Sequence, residues 1–189
     1  MEENQTMIEI RIHGRGGQGA VTSAELVAIA AIDDGKYAQA FPSFGPERRG
    51  APVAAFIRVS DKPIRTREKV YVPNVVMVLD PSILKIVNVA AGLKEGGTVI
   101  INTSKTPEEM ARLLNVKAKI ATVDATKIAM ESMGVPITNT SMLGALVKAT
   151  GIVSNDALGK AIDKRFGRIA EKNKTAFNRA MTETIIRES

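Results

Sequence analysis

The sequence predicts a three-layer α/β/α, Rossmann-like domain with a mostly parallel, mixed sheet and a helical C-terminal extension. Three observations carry this. Short apolar runs recur at 8–13, 75–79, 98–101 and 119–123, each closed by turn residues, which is how strands buried on both faces read. Segments with helix start and stop signals lie between them, the alternation expected of a sheet covered by helices. Beyond Pro136 the apolar residues recur only at helical spacing. The boundary falls between an α/β part, 1–138, and a helical extension of the same domain, 139–189.

In chain order, Ile8 to His13 is a buried strand and Ala20 to Ile32 a small-residue helix, which Asp33, Asp34 and Gly35 close with turn and C-cap chemistry. Tyr37 to Phe41 is a second strand. The stretch "PSFGPERRGAP", 42–52, holds three prolines and two glycines and must be a loop. Ala54 to Val59 alternates as a third strand, too close to the second for a helical crossover, so part of the sheet is antiparallel. Val75 to Leu79 leads into "DPS", where Asp80 can cap a helix over Ser82 to Ala91. Thr98 to Ile101 is followed by Thr106, Pro107, Glu108 and Glu109, a helix start with proline and acids in its first turn. Lys119 to Val123 and Thr126 to Met133 give a further strand and helix. The extension reads as helices at 141–150, 155–165 and 170–187.

Composition excludes several kinds of chemistry. The chain has 189 residues, 44% of them hydrophobic and 24% charged, ordinary for a globular protein. No apolar run approaches the roughly 18 residues of a membrane span, and the polar start "MEENQTM" lacks the basic and apolar regions of a secretory signal. A cytoplasmic location is expected, with no membrane partner. There are no cysteines, so disulfides, thiolate catalysis and cysteine-held clusters are excluded. With one histidine, His13, a protein-only metal site is not expected. The net charge of +6 suggests an anionic partner. For the basic residues of "KAIDKRFGRIAEKNK" a solvated helix face ranks first and an acidic protein second; nucleic acid ranks last, because only 4% of residues are aromatic.

The densest signal is "IEIRIHGRGGQGAVT", 8–22, where Gly14, Gly16, Gly17 and Gly19 fall within six residues. Gly14, Gly16 and Gly19 satisfy G-x-G-x-x-G between a strand and a helix. Glycines turn the backbone tightly and leave amides and a helix dipole open to phosphate, although an empty tight turn would also use them. An NAD site would want an acid closing the second strand; "YAQAFP" offers Gln39 and Phe41 instead, with Asp33 and Asp34 too early. A dehydrogenase reading is therefore disfavoured. Arg48 and Arg49, in the proline-rich loop, supply guanidiniums suited to phosphate. Their alternative is an exposed basic loop with Glu47 as a local ion partner.

Three stretches, "HGRGGQGAVTSAELVAIAA", "GKYAQAFPSFGPERRGAPVAAFIRVSDKPI" and "NTSMLGALVKATGIV", together resemble the gamma subunit of the 2-oxoacid:ferredoxin oxidoreductases, most of all the pyruvate and branched-chain 2-oxoacid enzymes. The likeness runs from about Ile8 into the C-terminal helices. It implies a subunit of a pyruvate synthase type assembly that oxidatively decarboxylates a 2-oxoacid to an acyl-CoA and passes electrons to ferredoxin. It further implies partners of alpha, beta and delta type in a hetero-oligomer, with dimerisation of that assembly left open. Thiamine diphosphate, Mg2+ and iron–sulfur clusters would sit on those partners, and coenzyme A would bind here as a substrate. By motif, Gly14, Arg15, Gly16, Gly17, Gln18 and Gly19 would form the loop near the CoA phosphates, Arg48 and Arg49 the basic pair for the same phosphates, and Asn139 and Thr140 a further family segment. No residue of this chain is expected to be catalytic, and the alternative of a purely structural subunit stays open.

Overall fold

The computed structural model describes residues 7–43 and 49–189. Strand β1 (Met7–Arg15) runs into the glycine turn and helix α1 (Ala20–Asp33), followed by β2 (Tyr37–Pro42), β3 (Pro52–Ser60) and β4 (Val75–Val78). A 3₁₀ turn at Pro81–Lys85 precedes β5 (Thr98–Asn102), α2 (Pro107–Leu114), β6 (Lys119–Val123) and α3 (Ala125–Met133). Helices α4 (Asn139–Thr150), α5 (Asn155–Phe166) and α6 (Ala170–Glu183) form the C-terminal part, and β7 (Ile185–Arg187) ends it.

Among the described residues these strands make one sheet in the order β2-β3-β1-β4-β5-β6-β7. Strands β1, β4, β5 and β6 run parallel, while β2, β3 and β7 join antiparallel. The predicted mixed sheet is therefore a parallel centre with antiparallel flanks, and the β2–β3 flank is the one that the short connection demanded.

Alternation along the strands sorts residues onto two faces. Ile10, Ile12, Ile57, Met77 and Ile100 join α1 and the helices of the C-terminal part in the larger core. Val76, Val78, Val99, Ile101 and Ile120 face the other way, against Ile83 and Met110. Gly144 of α4 lets that helix approach α6 closely; a Cβ there would lie 2.2 Å from the carbonyl oxygen of Phe177.

Two predicted helices need correction. The helix expected over 82–91 is only the 3₁₀ turn. Asp80 caps it as foreseen, accepting from the Ser82 amide, but β-branched Ile86, Val87 and Val89 and then Asn88 follow, all poor continuations. Arg11 also takes two carbonyls that a helix would need, donating to Val89 and Ala91 at 2.9 and 2.6 Å. The last helix stops at Glu183 rather than reaching Arg187, because Ile185 and Ile186 pair with Thr122 and Ala121 as an edge strand.

Candidate functional site at the glycine loop

Strand β1 runs through Gly14 to Arg15, still paired with Val53 and Pro52 of β3. A side chain at Gly14 would press on Leu79 at 3.3 Å, so that glycine serves close packing. Gly17 and Gly19 have φ of 94° and 83°, the left-handed region that glycine enters without strain. Among the described residues, and apart from its chain neighbours, no atom lies within 4 Å of where a Gly17 Cβ would stand. Gly17 is the open tip of the turn.

Among the described residues, helix α1 starts with no side-chain cap, and it has no acid in its first turn. Its first amides have no partner within the helix, and no acid of its own first turn offsets the dipole. The neighbouring α4 begins beside it: the Asn139 side-chain Nδ2 lies 2.9 Å from where a Cβ at position 19 would stand.

A polar network behind the loop holds its shape. Gln18 accepts from the Arg15 amide at 2.7 Å and donates to Asp80 at 2.8 Å. Arg15 donates to the Ser82 hydroxyl and to the Gly50 carbonyl, and its Nε lies 3.3 Å from Asp80. Burial works to raise the Asp80 pKa, but hydrogen bonds from Ser82 and Gln18, with Arg15 nearby, outweigh it and hold the carboxyl below its ordinary range. Asp80 thus stays charged and offsets Arg15. Gly16 donates to the Ala51 carbonyl and accepts from the Gly50 amide, so the turn after the proline-rich loop is clasped to the glycine loop.

The structure therefore gathers Gly14, Arg15, Gly16, Gly17, Gln18, Gly19 and Asn139, with exposed Arg49 one residue from the Gly50 clasp. Thr140 points elsewhere. It is fully buried and donates to Asn173 of α6 at 3.0 Å. Arg48 and Glu47 lie outside the described residues.

Sequence reasoning missed Asp80 and Ser82 as parts of this loop, reading Asp80 only as a cap. The available signal was topological: β1 and β4 are parallel neighbours, so "DPS" leaves β4 beside the glycine turn leaving β1. Buried Asn102 was missed too; it ties the end of β4 to α3 by donating to the Leu79 carbonyl and the Thr126 hydroxyl. His13 is buried and accepts from Arg11 Nε at 3.1 Å.

A crevice of about 510 Å³ opens next to the loop, walled by Ser82, Lys85, Thr103, Lys105, Met110 and Leu113. A larger cavity of about 720 Å³, lined by Glu108, Arg112, Lys117 and Arg187, lies at the β7 edge and shares no residue with the loop.

The chain matches the family described as pyruvate ferredoxin/flavodoxin oxidoreductase over residues 9–183. It is 59% identical over 184 residues to the pyruvate/ketoisovalerate oxidoreductases common subunit gamma of Thermococcus litoralis, covering 96% of this chain and 100% of that one. The crystal structure of pyruvate oxidoreductase subunit PORC from Thermotoga maritima superposes with a TM-score of 0.87 at 41% identity, over 96% of this chain and 99% of that one. The 2-oxoglutarate:ferredoxin oxidoreductase of Magnetococcus marinus, solved with 2-oxoglutarate, coenzyme A and succinyl-CoA, shares the fold with a TM-score of 0.77 at 19% identity; the match covers 95% of this chain and 31% of that longer one. This chain belongs to the pyruvate ferredoxin/flavodoxin oxidoreductase family, and the member that it resembles along nearly its whole length is the gamma subunit.

Proposed function

We propose that this chain binds and positions coenzyme A within a cytoplasmic 2-oxoacid:ferredoxin oxidoreductase, with pyruvate as the 2-oxoacid and partner subunits of alpha, beta and delta type. The observation that carries the reading is the uncapped start of α1 behind the open Gly17 tip, a concentration of bare amides that suits phosphate. The CoA-bound Magnetococcus enzyme of the same fold supports the choice of ligand. CoA carries a pyrophosphate and a 3′-phosphate, so a site without an acidic ribose clamp suits it.

In this reading the residues divide the work. The α1 amides and the Gly16–Gly19 backbone hold one phosphate. Arg15, its charge balanced by Asp80, braces the loop rather than meeting the ligand, and Gln18 fixes the turn through Asp80. Arg48 and Arg49 supply the net positive charge, and Asn139 closes the side toward α4. Catalysis by this chain is positioning: a CoA held at its phosphates presents its thiol at a fixed reach to an intermediate on another subunit. Thiamine diphosphate, Mg2+ and iron–sulfur clusters belong to those partners, and a sequence without cysteine is consistent with that division.

The Arg48→Ala, Arg49→Ala pair in the assembled complex tests the reading. A lost contact between a charged donor and phosphate costs about 1.5–3 kcal/mol, so the KM for CoA should rise at least about tenfold, with the CoA-independent decarboxylation half-reaction unchanged. An unaltered KM removes the pair from the site. The Thermococcus litoralis relative is named as common to pyruvate and ketoisovalerate oxidoreductases, which favours a second reading in which this chain also serves a branched-chain 2-oxoacid enzyme. Both readings place the 2-oxoacid pocket on other subunits.

A further inference from the structure

The corner where α5 passes into α6 is cationic, exposed and uncompensated. Lys164, Arg165, Arg168 and Lys172 are all exposed there, and none has an ion pair among the described residues. Their acidic neighbours are engaged elsewhere: Asp163 and Glu171 both bind Lys174, at 2.9 and 2.6 Å. Ile169 stands among the four cations with 55% of its surface open.

Helix energetics explain half of this charge. Lys164 and Arg165 occupy the last turn of α5, where a cation is favoured by the dipole. Arg168 and Lys172 flank the start of α6, the positive end, where a cation is disfavoured. Arg165 is anomalous in another way. It falls seven, four and three residues after Leu158, Ala161 and Ile162, which are buried, so it continues the inward stripe of α5 yet is exposed. The chain leaves this end of its own helix uncovered.

The corner is linked to the glycine loop through a relay of buried side chains. Gly19 abuts Asn139, the adjacent Thr140 donates to Asn173, and Asn173 donates to the Ile169 carbonyl at 2.9 Å.

We infer that this corner is a docking surface for an acidic, apolar-centred surface of another polypeptide of the assembly. The inference rests on the reading of this chain as a subunit of such an assembly. Carboxylates of the partner supply what Arg168 and Lys172 lack at the α6 start, and an apolar partner residue covers Ile169. Among the described residues the surface offers no fully exposed aromatic ring on which a base could stack, its Phe166 being packed against the core, so a protein fits it better than a single-stranded nucleic acid.

The test is co-expression with the complete set of partner subunits, reading the fraction of this chain retained in the purified complex. Arg165→Glu with Arg168→Glu should lower retention about tenfold or more at moderate salt, and wild-type retention should weaken as salt rises from about 0.1 to 0.5 M. Lys117→Glu, exposed by the far cavity, should leave retention unchanged. Lys172→Gln supplies a readout of opposite sign: removing a cation from a helix start should raise the Tm of the isolated chain by about 1 °C while weakening retention. A purely solvated surface would show the first effect without the second. Wild-type retention of the double reversal, in a variant that melts like wild type, overturns the inference, as does wild-type binding of nucleic acid that an acidic protein fails to displace. Should the wild-type chain join no partner at all, the assembly reading itself falls and takes this inference with it.

Discussion

Across β1, β2 and β3 the two faces of the sheet are built on opposite principles, whereas β4 to β6 are apolar on both. On one, Ile10, Ile12, Ile57 and Met77 pack against α1 and the C-terminal helices in an apolar layer. On the other, the same strands β1, β3 and β2 carry Glu9, Arg11, His13, Arg58 and Gln39, under irregular chain: the carbonyls of Ile64, Val89 and Ala91 receive Gln39 and Arg11. An apolar face is stabilised by area and tolerates exchange of similar volumes. A buried polar face is stabilised by matched partners, and each group left without its partner costs its desolvation. The faces should therefore fail in different ways: the first to changes of shape, the second to changes of charge.

The largest effect is expected where shape is tightest. Gly144→Ala puts a methyl 2.2 Å from the Phe177 carbonyl and 3.0 Å from the Ala180 Cβ, so α4 and α6 must separate. Overpacking of this kind costs about 3 kcal/mol, and a backbone atom cannot step aside as a side chain would. Chemical denaturation should show the loss, and a near-wild-type midpoint would mean that the helices slide apart cheaply. No charge changes, so the effect should be independent of salt.

On the polar face, Glu9→Gln keeps shape and removes charge. Arg58, with 3% of its side chain exposed, lies 2.9 Å from Glu9 and 5.4 Å from the Phe41 ring centre, and its Nη1 has no hydrogen-bond partner among the described residues. Stranding that guanidinium should cost about 3 kcal/mol. Arg58→Met should cost less, because Glu9 is 15% exposed and keeps Lys94 at 3.6 Å. The order of the two denaturation midpoints decides the matter; if Arg58→Met is the worse variant, packing rather than charge governs this face.

The apolar face was the legible one. Its residues follow periods of two and 3.6, and the buried strands at 75–78, 98–102 and 119–123 lie where their apolar runs predicted. The capping box that starts α2, Thr106 with Glu109, was equally readable, since it is written within four residues. The polar face was not, because a lone Arg58 in "AAFIRVS" reads as an outward charge until β1 brings Glu9 opposite it. The same holds at the candidate site. Its glycines are local and were found from spacing, whereas Asp80 and Ser82 reach the loop only through the β1–β4 pairing, some 62 to 67 positions along the chain. Ile185 and Ile186 illustrate tertiary override: three strand residues gain their hydrogen bonds from β6 alone.

The mildest prediction concerns acid. Burial, and then the neighbouring Arg11 charge, push the His13 pKa down to about 4, from an ordinary 6.5. The folded chain thus holds this imidazole neutral, accepting from Arg11, while the unfolded chain protonates it near 6.5. Between those values the unfolded state binds more protons, so stability falls as pH drops from about 6.5 toward 4 and is whole above about 7. At pH 5.5 the loss should be about 1.4 kcal/mol, approaching about 3 kcal/mol near pH 4. The depressed carboxylates Asp34 and Asp80 contribute in the same direction, but their loss comes as pH falls through values below the ordinary carboxylate range, so the window from 5 to 7 isolates the histidine. His13→Gln keeps an acceptor for Arg11 and cannot titrate; its denaturation midpoint should be flat across that window. A wild-type midpoint equally flat there would mean that the Arg11–His13 pair opens to water, and that the polar face is looser than its hydrogen bonds imply.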